Sequence, residues 1–102
     1  MVKTKLYVGL NDKDTKSQEI STLNAYKVLG NILGAELDGY TITESTGFYK
    51  HADGSFTTEV SLVVELLNVP QQTILGLIHN IKIALNQECV LMEQHNVLQD
   101  YV

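Results

Sequence analysis

The sequence predicts an α+β protein of the ferredoxin-like type, with a four-stranded antiparallel sheet and two helices on one face of it. Three observations support this: two segments carry apolar residues at helical spacing, four have the composition of strands, and they alternate in the order βαββαβ. With 102 residues, 44% of them apolar and 19% charged, the chain is predicted to form a single ferredoxin-like domain over residues 1–102 with one core.

The first half of the chain predicts a strand, a helix and a second strand. Residues 3–11 alternate between apolar and polar or small side chains, which is the period of a half-buried strand. Residues 21–37 carry an apolar stripe at three- and four-residue steps and form the first helix, which Asp38-Gly39 ends. Residues 40–49 are rich in Thr, Ile and aromatics and form the second strand.

The second half predicts a hairpin, a helix and a last strand. Asp53-Gly54 is a strong hairpin signal, and the strand that follows it covers residues 56–67. Pro70 suits the first turn of a helix over residues 69–85. Residues 88–92 form a short apolar run that would be the fourth strand, followed by a polar tail.

Alternation along the strands predicts what each face of the sheet carries. One set from the third strand is expected in the core: Phe56, Thr58, Val60, Leu62, Val64 and Leu66. A mixed polar and apolar set is expected on the face that the helices leave open: Tyr7, Gly9, Thr41, Thr43, Thr57, Glu59, Ser61 and Val63. Such a face is expected to bind a second copy of the chain or a small ligand.

Composition argues against several classes of partner. The chain has seven lysines, no arginine and a net charge of −5, whereas nucleic-acid phosphates are usually neutralised by clusters of Lys and Arg. We therefore expect no DNA or RNA binding. The N-terminus lacks the apolar core of a signal peptide, no segment approaches the ~20 apolar residues of a membrane span, and Cys89 is the single cysteine. These features predict a cytoplasmic protein with no membrane association.

No motif for metal, cofactor or nucleophile chemistry is present. His51, His79 and His95 are predicted on the hairpin tip, the second helix and the tail, without the spacing of a zinc site. Cys89 is predicted to be a small buried side chain on a central strand, since reactive thiols need an accessible and electropositive setting. Phosphate-loop and nucleophile-elbow sequences are missing as well, so no cofactor and no metal are expected.

Two small clusters remain as candidate sites. Tyr49, Lys50 and His51 bring an aromatic face, a cation and an imidazole to the start of the hairpin turn, although hairpin tips are commonly just exposed and polar. Glu44 and Glu59 are predicted as cross-strand neighbours that could act as an acid and base pair, although solvated glutamates are far commoner.

Short motifs spread over most of the chain carry a resemblance to a known family. In order they are Leu6-Tyr7-Val8-Gly9, Asp38-Gly39-Tyr40-Thr41-Ile42, Gly47-Phe48-Tyr49-Lys50, Asp53-Gly54, Glu59 and Gln87-Glu88-Cys89-Val90-Leu91. Together they resemble an uncharacterised bacterial family of small domains with L-Y-x-G, D-G-x-T, G-x-W-R and Q-E-S-V-L motifs. The chain departs from that pattern at Tyr49, Lys50 and Cys89, where the family has Trp, Arg and Ser. The resemblance implies this fold and directs attention to Tyr7, Tyr49, Lys50 and Glu59, but it implies no reaction.

The sequence favours a non-enzymatic binding or interaction protein that acts as a homo-oligomer. One version is a phage or mobile-element accessory protein that inhibits a host defence by binding a host protein or by sequestering a signalling nucleotide, with Tyr7 or Tyr49 stacking on the base and Lys50 meeting a phosphate. The alternative is a small cofactor-free enzyme, an isomerase or a monooxygenase-like catalyst, with Glu59 or His51 as its base.

Overall fold

The elements follow the predicted order in a computed structural model that describes residues 1–102. In chain order they are β1 (Val2–Gly9), α1 (Thr22–Gly34), β2 (Thr41–Lys50), β3 (Phe56–Leu67), α2 (Gln71–Ala84) and β4 (Leu91–Asn96). The helices begin and end within a few residues of the predicted limits, and β3 has the predicted limits. Neither helix is long and apolar enough to cross a membrane.

The four strands form one antiparallel sheet in the order β2-β3-β1-β4. This arrangement is the ferredoxin-like fold, as the sequence predicts. The two strands that lie next to each other at the centre, β1 and β3, come from opposite halves of the chain, and β2 and β4 are the edges.

Both helices pack on the same face of the sheet and enclose a single hydrophobic cluster. Alternate residues of β1 and β3 point into it because strand side chains alternate between faces. The cluster contains Leu6, Val8, Leu10, Ala25, Leu29, Leu33, Leu62, Val64, Leu66, Ile74, Leu77, Ile81 and Leu85. The opposite face, which we call the open face, is left without helices.

Local signals in the sequence fix the start of α1 and the turn between β2 and β3. Ser21 caps α1, since its side-chain oxygen accepts a hydrogen bond from the backbone amide of Asn24 at 3.1 Å. Gly54 has a φ of 89° in the β2–β3 turn, a left-handed conformation that glycine adopts without steric cost. The Asp53-Gly54 hairpin prediction is confirmed.

The C-terminal part differs from the prediction. The last strand covers Leu91–Asn96 rather than residues 88–92, so that His95 lies on β4 and not in a tail. Cys89 is exposed in the connection before β4, and β4 is an edge strand. The prediction of a buried cysteine on a central strand is therefore wrong, because the apolar run in this region straddles the start of the strand.

Two members of the predicted core set, Phe56 and Thr58, also lie outside the core. Phe56 is 66% exposed, because β2 and β3 extend beyond the end of the helices and nothing covers their tip. Thr58 is exposed for the same reason. The period-two pattern gives the correct face for both residues, but it does not tell how far the helices reach along that face.

Candidate functional site

A cavity of about 800 Å³ lies on the open face, at the end of the sheet where the β2–β3 hairpin extends. Its floor comes from β1, β2 and β3, and its rim comes from the connections that follow β1 and α2. The floor is lined by Tyr7, Gly9, Ser45, Gly47, Tyr49, Thr57, Glu59 and Ser61. Because this concave surface combines aromatic and charged side chains, we take it as the candidate binding site.

Glu59 is the half-buried acid at the centre of the floor. Its side chain leans from β3 across β1, where Oε2 accepts a hydrogen bond from the backbone amide of Asn11 at 2.9 Å. No lysine or histidine lies within ion-pair distance of it, and Oε1 accepts no hydrogen bond from the protein. One carboxylate oxygen is therefore held by the backbone, and the other is free for a ligand.

Two glycines make room for this arrangement. A Cβ atom at Gly9 would lie 2.6 Å from Cδ and from both carboxylate oxygens of Glu59, so the carboxylate occupies the space that a side chain would fill. Gly47 is paired with Glu59 in the ladder, and a Cβ there would lie 3.1 Å from the hydroxyl of Tyr49. The ring of Tyr49 thus folds over Gly47, directly beside the glutamate.

Two tyrosines line the floor together with the glutamate. Tyr7 pairs with Val63 on one side and Leu91 on the other, while Tyr49 pairs with Thr57 towards the hairpin tip. Rings and carboxylates both attract cations, the rings through their negative π faces. The floor therefore suits a planar ligand that carries positive charge or hydroxyl donors.

The rim is a pair of connections held together by side-chain hydrogen bonds. Gln87 donates from Nε2 to the carbonyl oxygen of Asn11 at 2.8 Å and to that of Leu85 at 3.2 Å. Asn86 donates to Asp12 Oδ2 and Asp14 Oδ2, each at 2.9 Å. The two connections therefore hold each other in place at the mouth of the cavity.

Asp12 is the charged centre of that rim. The hydrogen bond from Asn86 is the main cause of a pKa below the ordinary value of 3.8, and the backbone amides of Thr15 and Asp14 lower it further. These two amides donate to Oδ1 at 3.1 and 2.8 Å. Lys13 and Lys16 lie on the same loop and line the cavity, so cations stand at its rim while the acid Glu59 stands on its floor.

Four of the five predicted site residues line this cavity, namely Tyr7, Tyr49, His51 and Glu59. Lys50 does not. Successive residues of a strand point to opposite faces, and Lys50 reaches Phe56 on the helix side, with Nζ 5.9 Å from the ring centroid. The predicted cluster of Tyr49, Lys50 and His51 is therefore divided between two faces, and Lys50 does not lie in the cavity beside Tyr7 and Tyr49.

The predicted acid and base pair is not formed either. Glu44 is paired with Leu62, and Glu59 with Gly47. Since Leu62 lies in the core, Glu44 points to the helix side of the sheet, whereas Glu59 points to the open face. The two carboxylates cannot share a proton.

The sequence did not predict the rim. Lys13, Lys16, Gln87 and Glu88 line the cavity together with Cys89, yet they come from two connections that are more than sixty residues apart in the chain. Only one signal pointed to part of this set: the Gln87-Glu88-Cys89 segment belongs to the motifs that carry the family resemblance. Its place beside Asn11 depends on the β1–β4 pairing.

No protein-family model matches the chain, and no curated protein matches it. Solved structures with the same fold are found. A phage SAM lyase in its apo state aligns over 97% of this chain and 84% of its own, with a TM-score of 0.66 and 19% identity. A phage SAM lyase in complex with S-methyl-5'-thioadenosine aligns over 92% and 79%, with a TM-score of 0.62 and 19% identity.

The same fold is also found in a protein of another kind. The periplasmic divalent cation tolerance protein CutA from Archaeoglobus fulgidus aligns over 97% of this chain and 87% of its own, with a TM-score of 0.59 and 11% identity. At these identities the similarity establishes the ferredoxin-like fold alone.

Proposed function

We propose that the open-face cavity binds an adenosine-containing sulfonium metabolite of the S-adenosylmethionine type. The observation that carries this proposal is Glu59, a half-buried carboxylate without a cationic partner that lines the same cavity as Tyr7 and Tyr49. A positively charged sulfonium group supplies the missing charge, the rings supply stacking surfaces for the base, and the free carboxylate oxygen can accept from a ribose hydroxyl.

The charges at the rim fit the other end of such a ligand. The amino-acid portion of S-adenosylmethionine carries a carboxylate, and Lys13 and Lys16 stand at the mouth of the cavity. A ligand whose sulfonium group lies beside Glu59 on the floor would leave that carboxylate free to reach the lysines. Similarity to a phage SAM lyase, which has been found in complex with S-methyl-5'-thioadenosine, supports the same ligand class.

The biological role that we propose is that of a phage or mobile-element accessory protein. By binding this metabolite it would withhold it from host defence reactions, which differs from the sequestration of a signalling nucleotide expected from the sequence in the ligand that is bound. We also propose that the chain acts as a homo-oligomer in which a second copy covers the open face.

Cleavage of the bound metabolite is the second candidate function, and the similarity to a lyase favours it. In that reaction the bond between the sulfonium sulfur and the amino-acid chain breaks, and the sulfur keeps the bonding electron pair. The carbon that loses sulfur can regain electrons from a neighbouring C–H bond, whose proton passes to Glu59 or His51. Alternatively, it regains them from the carboxylate oxygen of the same amino-acid portion of the ligand, which closes a ring. No added redox partner is needed in either case.

Isothermal titration calorimetry with S-adenosylmethionine and with S-methyl-5'-thioadenosine tests the binding proposal. We expect the wild type to bind both compounds and Glu59→Gln to bind S-adenosylmethionine about 10- to 100-fold more weakly, because a charge-assisted contact contributes about 1.5–3 kcal/mol. Glu44→Gln is the matched control, since Glu44 lies on the other face of the sheet. If the wild type binds neither compound, the proposal is refuted.

Mass spectrometry of the same mixtures separates the two candidate functions. A sequestering protein returns S-adenosylmethionine unchanged, whereas a lyase converts it to S-methyl-5'-thioadenosine faster than the uncatalysed control. The identity of the amino-acid product then distinguishes proton removal, which gives an unsaturated acid, from ring closure, which gives a lactone.

A further inference from the structure

Gln87 is a polar side chain that is almost completely buried, with 8% of its surface exposed. It lies in the connection between α2 and β4 and lines the open-face cavity. Buried amides are normally hydrogen-bonded through both their nitrogen and their oxygen. The hydrogen-bond partners of this amide therefore show which of its atoms remains free to contact a ligand.

Only the nitrogen of the Gln87 amide is engaged within the protein. Nε2 donates to the carbonyl oxygens of Asn11 and Leu85, and both of its protons are thereby used. Oε1 accepts no hydrogen bond, and it is not sealed inside the protein, since no fully buried side-chain oxygen or nitrogen lacks a partner. The two carbonyls also fix the orientation of the amide, because exchanging nitrogen and oxygen would set oxygen against oxygen.

The same residue, Asn11, holds both Gln87 and Glu59. Its carbonyl oxygen accepts from Gln87 Nε2 at 2.8 Å, and its amide donates to Glu59 Oε2 at 2.9 Å. Standard backbone dimensions then place the Gln87 amide and the Glu59 carboxylate within about 10 Å of each other. One adenosine is long enough to reach both groups, the first with its exocyclic amine and the second with a ribose hydroxyl.

We infer that Gln87 Oε1 accepts a hydrogen bond from the exocyclic amino group of adenine, so that the cavity selects adenine over hypoxanthine or guanine. The inference rests on the proposed adenosine-type ligand and names the group that reads its base. Adenine presents a donor at this position, whereas hypoxanthine and guanine present a carbonyl oxygen. An acceptor facing the fixed Oε1 would be repelled, and both groups would lose a hydrogen bond.

The test compares S-methyl-5'-thioadenosine with its inosine counterpart, 5'-deoxy-5'-methylthioinosine, by calorimetry on the full chain. The two ligands differ at the exocyclic position and at the adjacent ring nitrogen, and neither contains a sulfonium group to be cleaved. We expect the wild type to bind the adenosine compound at least about tenfold more tightly. Gln87→Met keeps the size of the side chain without its amide, and we expect the preference to disappear in it.

The outcomes separate this inference from the proposed function. Equal affinity of the wild type for both compounds would overturn the role of Gln87 and leave the adenosine-type site standing, whereas binding of neither compound would refute the site itself. A Gln87→Met protein that keeps the full preference would assign the reading of the base to another group. The comparison of ligands on the wild type needs no variant, so the test does not depend on how well Gln87→Met folds.

Discussion

At the scale of single residues, the position of Glu59 depends on the missing side chain of Gly9. The carboxylate lies where a Cβ of residue 9 would be, 2.6 Å away. Gly9→Ala would therefore push the carboxylate aside and break its hydrogen bond to the amide of Asn11. Because only the end of a flexible side chain has to move, we expect the fold to persist while affinity for S-adenosylmethionine falls about tenfold or more.

Calorimetry and thermal unfolding of the same variant check this expectation. Gly39→Ala is the matched control, since no atom lies within 4 Å of a Cβ at Gly39 and its substitution should change neither quantity. Loss of thermal stability with unchanged affinity would show that Gly9 is needed for the stability of the sheet and not for the position of the Glu59 carboxylate.

Alternation along a strand predicted several of these residues and failed at others for a physical reason. The period of two alone predicts Tyr7 and Glu59 on the open face, and the register confirms this. Glu44 was misplaced because a cross-strand partner depends on the exact register, and a change of one residue reverses the face. The open acceptor of Gln87 could not be predicted, because it follows from contacts between distant loops.

At the scale of elements, strong local signals predicted helices and the hairpin, whereas the last strand was misplaced. The Asp53-Gly54 turn sets the β2–β3 pairing, and the limits of β3 follow from it. Residues 88–92 are apolar enough to resemble a strand, but Gln87 and Asn86 are committed to hydrogen bonds with the loop after β1. Because of those tertiary contacts, β4 begins only at Leu91.

The loop after β1 gives a prediction about pH. The lowered pKa of Asp12 means that its contact with Asn86 stabilises the folded state above the ordinary value of 3.8 and that this contribution is lost as the pH falls through the lower folded value. Asn86→Gly removes the main cause of the shift and keeps a residue that tolerates the φ of 49° at this position. We expect the pKa of Asp12 to rise towards 3.8 in that variant.

Carboxyl NMR titration measures the pKa of Asp12 directly in the wild type and in the variant. Asp53 is an internal control, because its pKa is also lowered, but chiefly by the side chain and backbone of Ser55 within the hairpin turn. It should titrate identically in the wild type and in Asn86→Gly. An unchanged Asp12 titration in the variant would mean that the backbone amides of its own loop hold the carboxylate without help from the second connection.

At the scale of the whole molecule, the fold buries one face of its sheet and leaves the other without cover. The open face carries the cavity at one end, and Thr43 and Val63 lie opposite each other outside it. Leu91, which is 66% exposed, pairs with Tyr7 next to them, and both line the cavity, so exposed apolar surface lies at the edge of the cavity. A second copy of the chain would remove this surface from water and would also close the ligand site, because the edge of the cavity is part of the same face.

This arrangement predicts that binding and oligomerisation depend on the same face. Thr43→Arg places a long cation on the open face at a position that does not itself line the cavity, and an unpaired charge is costly to bury in an interface. We expect native mass spectrometry to show an oligomer for the wild type at micromolar concentration and a monomer for Thr43→Arg, with a parallel loss of affinity for S-methyl-5'-thioadenosine. Gln72→Arg adds the same charge to the exposed side of α2 and should leave both properties unchanged. A wild type that is monomeric and still binds the nucleoside would show that one chain forms the complete site, and the open face would then require a different partner.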